Sequence, residues 1–245
     1  MFTCRAVTHR KMALAGLCLL CLQVWQSDGY YHPDEYFQTA EFASYKLGST
    51  PVTDLAWEFP ARMRPFLQPA VYYGVIRALQ AVGAFSPRAA LTCFHAISAL
   101  LGWGALLLLW RALAPRLPDE RSRTWLLAAC LFTWYLPFLT VRTSSESFSG
   151  SFLAIGLAAY LLLEHRPALG AALAGLALGF SFDARYQVAF AVLGFGAWMA
   201  WTRWTRRASL LAPVGALALG FLLAAGLGLV FDRWGYGAWT FTPWN

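Results

Sequence analysis

The sequence predicts an all-α polytopic membrane protein, and three observations carry that reading. Hydrophobic residues make up 59% of the 245 positions and charged residues only 13%, against roughly 25% charged in soluble proteins. Mean hydropathy is +0.50. Apolar runs of about 18 residues, the length a helix needs to cross hydrocarbon, recur along the whole chain. The runs are continuous rather than alternating, which excludes a β-barrel.

The first run spans 12–26 and follows Arg5, Arg10 and Lys11. It has the outline of a signal peptide. Val24-Trp25-Gln26 passes into the Asp28 loop without a small-residue cleavage site, so an uncleaved first span is the better reading. It is short for a span and predicts tilt or local thinning. Further segments fall at 66–83, 88–111, 124–141, 147–163, 168–182, 186–202 and 208–231. The segment 66–83 carries Gln68, Tyr72, Tyr73, Arg77 and Gln80, which suits an interfacial helix. Asp34 to about Leu47 predicts a second interfacial helix, with Pro33 at its first position and two carboxylates in its first turn.

Loop charge chooses the topology. If 66–83 does not span, Arg111, Arg116, Arg121, Arg123, Arg166, Arg203, Arg206 and Arg207 face the cytoplasm, and most acidic residues face outward. If it spans, every later loop inverts. The expectation is therefore seven spans within residues 1–231, a first outer loop at 27–65, and another outer loop starting at 232–245. The net charge of +7 follows from this partition, and nucleic acid is not an expected partner. The five cysteines form neither a disulfide framework nor zinc-ligand spacing, and no metal or cofactor is expected.

This topology gathers five polar constellations on one face. In Tyr30-Tyr31-His32-Pro33-Asp34-Glu35, the carboxylates either start a helix or supply a general base that takes a proton from an acceptor hydroxyl. His32 orients its neighbours. In Trp57-Glu58-Phe59-Pro60-Ala61-Arg62-Met63-Arg64, the arginines bind lipid head groups or a substrate phosphate. Arg142 and Glu146 pair as a site wall, or Ser144 or Ser145 caps the next helix. Asp183 and Arg185 pair with each other, or Arg185 reaches a phosphate. The stretch from Asp232 through Tyr236 and Trp239 to Asn245 offers aromatic groups for a sugar or an ordinary interfacial belt. For phosphate binding the sequence ranks Arg185 first, then Arg62 and Arg64, then Arg142.

Taken together, His32-Pro33-Asp34-Glu35 with Phe37-Gln38, Trp57-Glu58-Phe59 with Arg62 and Arg64, Arg142 with Glu146, Ala184-Arg185, and Asp232 with Tyr236-Gly237, Trp239, Thr242 and Trp244-Asn245 resemble the C-type mannosyltransferases of the GPI-anchor and N-glycan pathways. The GPI mannosyltransferase branch is most similar. The resemblance implies an inverting enzyme that moves mannose from a polyprenyl-phosphate carrier to a lipid-linked glycan on the luminal or periplasmic face. It implies a seven-span module with two short helices in the first outer loop, then a variable module. It places the catalytic acidic residue on Asp34, with Glu35 beside it, and implies neither nucleotide sugar nor metal. Members are longer, and the chain stops at Asn245 inside the last motif, so a fragment or a separately encoded second half is expected. Ala, Leu and Arg richness points to a bacterial inner membrane; a eukaryotic chain would sit in the endoplasmic reticulum. The competing classes are a flippase or transporter of lipid-linked sugars and a noncatalytic membrane subunit. No Asp or Glu falls deep in an expected span, which disfavours ion coupling.

Overall fold

The computed structural model describes residues 2–242, with side chains from Thr8 onward. Arg5, Trp244 and Asn245 therefore lie outside what can be said of side chains. The described residues form helices and turns without strands. Helix α1 is Phe2–Gln26, α2 Pro33–Glu35, α3 Glu41–Lys46, α4 Leu67–Ala81, α5 Pro87–Leu113 and α6 Glu120–Phe132. Helix α7 is Leu136–Val141, α8 Ser145–Leu162, α9 Pro167–Ala184, α10 Ala189–Thr205 and α11 Leu211–Tyr236. The fold is that of a polytopic helical membrane protein. Among the described residues, four helical stretches are long and apolar enough to cross a membrane: 87–116, α8, α9 and α11.

Three boundaries differ from the sequence reading. Helix α1 starts at Phe2, so it has 25 residues and is not short; the charged residues before Met12 extend the helix rather than preceding it. The segment 124–141 is broken into α6 and α7 at Thr133–Tyr135. Thr133 turns to φ −60°, ψ 124°, and Pro137 lies four residues on, where its ring would clash with the Thr133 carbonyl of a continuous helix. Helix α11 carries on past 231 through Asp232 to Tyr236 and ends on Gly237, whose φ of 73° supplies the left-handed cap.

Helix α9 packs between α8 and α11, while α5 bridges α8 and α1. Small residues allow the α9–α11 approach: a Cβ on Gly175 would strike the Leu217 carbonyl, and one on Gly220 the Ala172 carbonyl. Between α8 and α9, Ser149 and Ser181 exchange hydroxyl-to-carbonyl bonds of 2.8 Å each. Trp103 Nε1 donates to the Ala13 carbonyl at 3.1 Å and ties α5 to α1. Aromatic residues Phe42, Phe59, Phe66 and Tyr236 form a separate core at one end of the bundle.

Candidate active site

The site begins with the turn that starts α2. His32 is its N-cap at φ −118°, ψ 140°, Pro33 fills the first turn, and His32 Nδ1 accepts the Asp34 N–H at 3.2 Å. The imidazole thus tethers the Asp34 backbone. The run from 33 to 46 continues helical, but Tyr36–Ala40 widens into a π turn. A π segment inside a helix commonly marks a functional position. Here it turns Gln38, Thr39 and Ala40 inward while Tyr36 and Phe37 stay exposed.

The two adjacent carboxylates separate completely in environment. The Asp34 side chain keeps 40% of its surface exposed. Glu35 is 1% exposed and accepts the Thr143 hydroxyl at 3.2 Å, with the backbone N–H groups of Tyr31 and Thr143 as further donors. Burial pushes the Glu35 carboxyl above the ordinary carboxylate range; the Arg142 charge and these hydrogen bonds offset only part of that.

A cavity of about 500 Å³ opens beside the pair. Asp34, Glu35, His32, Arg142 and Glu146 line its polar mouth. Gly102, Ala105, Leu106, Leu136, Leu139 and Ala154, from α5, α7 and α8, make most of the remaining wall apolar, with Thr140, Ser147 and Ser151 among them. The guanidinium of Arg142 lies 4.4 Å from the Phe138 ring centroid and 5.4 Å from that of Tyr31.

Two of the other candidate arginines, Arg185 and Arg64, are engaged elsewhere. The expected Arg142–Glu146 pair does not form. Glu146, in the first turn of α8, meets Arg185 Nη1 at 2.5 Å, and Arg185 also donates to Ser145 Oγ at 3.1 Å. Ser144 caps α8 by accepting the Ser147 N–H at 3.3 Å, so the capping role foreseen for this stretch is filled. Asp183 does not pair with Arg185; its carboxylate packs against Gly228, where a Cβ would lie 2.6–2.7 Å from the carboxyl atoms. Arg64 grips Glu58 through Nη2 at 2.6 Å and Nε at 3.1 Å. Arg62 is exposed on a left-handed turn, φ 53°.

Distant segments close over this end. Tyr236 donates to the Arg64 carbonyl at 2.6 Å and Tyr186 to the Met63 carbonyl. Asp232 accepts the Phe66 N–H at 2.7 Å. Tyr236 is therefore held in structure rather than lining the cavity, and Trp239 is 69% exposed. Four residues that sequence reasoning passed over matter here: Tyr31, Phe138, Thr143 and Gln68. Thr143 and Tyr31 stood inside recognised motifs and Gln68 on a noted polar face; Phe138 carried no signal. Among the described residues, no three of His, Cys, Asp and Glu gather closely enough to hold a metal ion.

A profile of the Alg9-like mannosyltransferases matches residues 14–245. The chain belongs to the Alg9-like mannosyltransferase family. GPI mannosyltransferase 3 of Yarrowia lipolytica is 30% identical over 131 residues, which is 52% of this chain and 24% of that protein. The matched part thus spans about a quarter of the relative's length. No solved structure matches the chain significantly. Within this family of mannosyltransferases, the 14–245 match takes in every constellation described above, from His32 to Trp239.

Proposed function

We propose that the full-length protein is an inverting glycosyltransferase that moves mannose from a polyprenyl-phosphate carrier to a lipid-linked glycan, on the periplasmic or luminal face. A GPI precursor is one such glycan, and the name of the yeast relative favours it. The observation that carries the reading is the cavity. Its mouth holds two exposed carboxylates, Asp34 and Glu146, of which Glu146 is paired with Arg185, and one arginine, Arg142, and the rest of its wall is mostly apolar.

The chemistry follows from Asp34 and Arg142. The acceptor oxygen attacks the anomeric carbon as the bond from that carbon to the phosphate oxygen breaks. Asp34 takes the acceptor's hydroxyl proton, and the bonding pair leaves with the phosphate. The growing phosphate charge needs a cation. Arg64 and Arg185 already serve carboxylates, and Arg62 is exposed away from the cavity. Among the described residues, Arg142 lines the mouth with no carboxylate within ion-pair distance, so we place it first for the phosphate and Arg185 after it. Glu35, buried and held by three donors, is the less suitable base.

The test is transfer of labelled mannose from polyprenyl-phosphate mannose by the full-length protein in detergent. Asp34→Asn is expected to lower turnover about 10²-fold or more with the fold intact. An unchanged rate in Asp34→Asn with a dead Glu35→Gln would exchange the two roles. Absence of transfer by the wild type, with several lipid-linked glycans offered, would defeat the reading.

A further inference from the structure

Behind the cavity wall lies a chain of buried hydrogen bonds that touches no reacting atom. Gln68, on α4, is 3% exposed. Its Nε2 donates to the Thr143 carbonyl at 2.7 Å and to the Tyr72 hydroxyl at 2.9 Å. The carbonyl needs a donor, which fixes the amide orientation. Thr143 is fully buried, and its hydroxyl donates to Glu35 Oε2 at 3.2 Å. One short bridge therefore joins three elements distant in sequence: helix α4, the link between α7 and α8, and the end of α2.

That link carries Arg142. Residue 142 is extended, φ −68°, ψ 145°, and in extended chain adjacent side chains point to opposite sides. Thr143 faces the protein interior, so Arg142 faces the cavity. Holding the Thr143 side chain and carbonyl from behind sets where the guanidinium sits between Phe138 and Tyr31. Glu35 stands near enough to feel the Arg142 charge.

We infer that Gln68 and Thr143 are positioning residues that hold Arg142 on the donor phosphate, with Glu35 as their anchor and not as the base. The inference rests on the proposed use of Arg142. The bridge is costly to keep as mere packing, because Gln68 Oε1 is buried without a partner. A displacement of an ångström at a group that meets developing charge costs up to about 10²-fold in rate, so a brace outside the cavity has a large effect available to it.

The experiment measures binding of a polyprenyl monophosphate to the full-length protein, beside mannose transfer. Thr143→Val and Gln68→Met are each expected to weaken phosphate binding and donor kcat/KM about tenfold, with acceptor KM unchanged, and Thr143→Ser to retain both. Coupling decides the mechanism, since residues acting as a unit are non-additive. Adding Thr143→Val or Gln68→Met to Arg142→Ala should cause no further loss of binding. Additive losses, or wild-type binding in both single variants, would overturn the inference, as would misfolding of both. Wild-type protein that binds the phosphate with this coupling but transfers no mannose would leave the brace standing and remove the proposed reaction.

Discussion

The two ends of the helix bundle are held by different means. At the site end, buried polar groups reach across the chain. Asp232 accepts the Phe66 N–H, Thr143 joins Glu35 to Gln68, and Tyr236 and Tyr186 clamp the carbonyls of Arg64 and Met63. At the opposite end, beside part-buried bonds from His9 to Thr124 and from Trp110 to the Arg123 carbonyl, the contacts include more exposed ion pairs and caps. Arg116 meets Glu164 at 2.9 Å with side chains 39% and 71% exposed, and Arg123 meets Glu120 at 3.6 Å. Asp119 caps α6 by accepting the Ser122 N–H. A surface ion pair is worth about 0–1 kcal/mol, whereas a buried group that loses its partner costs about 1–3 kcal/mol. One end is therefore built so that single changes are felt, and the other so that they are tolerated.

Four measurements sharpen or break that contrast. The largest stability loss is expected at Gly235. A Cβ there would fall on the ring of Phe66, which is fully buried among Phe42, Phe59 and Tyr236. Alanine would gain up to about 1 kcal/mol of helix propensity, but a Cβ that overlaps several ring atoms is severe overpacking, beyond the typical cost of about 1–3 kcal/mol, so Gly235→Ala should lower the unfolding midpoint in detergent. A raised midpoint would show that this aromatic core yields.

Next is Asp232→Ala, which strands the buried Phe66 N–H and should cost about 1–3 kcal/mol. Asp232→Asn keeps an acceptor and should cost less; equal losses in the two would deny the hydrogen bond its role. The third concerns pH. The native state holds the Glu35 proton more tightly than the unfolded chain, because its carboxyl is raised. Stability from this group therefore falls as pH rises from the unfolded value, about 4.3, toward the raised one, and is level beyond it. The stability of Glu35→Gln relative to wild type should grow with pH across that window; a difference that stays flat would mean that Glu35 is not held above its ordinary range. The smallest effect is expected for Arg116→Ala, within about 1 kcal/mol. A greater loss would show that the exposed end is not so tolerant.

Much of this contrast is legible in the sequence. Runs of apolar residues locate most of the long helices within a few positions. His32-Pro33 announces the start of α2, and Ser144 that of α8. Pro137 carried a mark of the break between α6 and α7 that reading 124–141 as one segment passed over, since a proline needs no tertiary context to end a helix. The π turn at Tyr36–Ala40 had no comparable local mark. The same motif held Asp34 and Glu35 as near equals, and nothing in their spacing said that one would stay exposed and the other be sealed.

Composition, hydrophobic period and the partition of arginines among loops determine by themselves that this chain is helical and suited to a membrane, and they pick out the motifs that family membership then joins. These are properties of single residues and near neighbours, so no fold is needed to read them. Partnership is different. Whether Arg142 or Arg185 meets Glu146, which arginine is left for the cavity, and that Gln68 stands behind Thr143 depend on how α4, α8 and α9 approach one another. Those approaches are set by glycine contacts and buried hydrogen bonds between residues far apart in sequence, and a charge at the end of a long side chain can serve several partners until packing leaves it one.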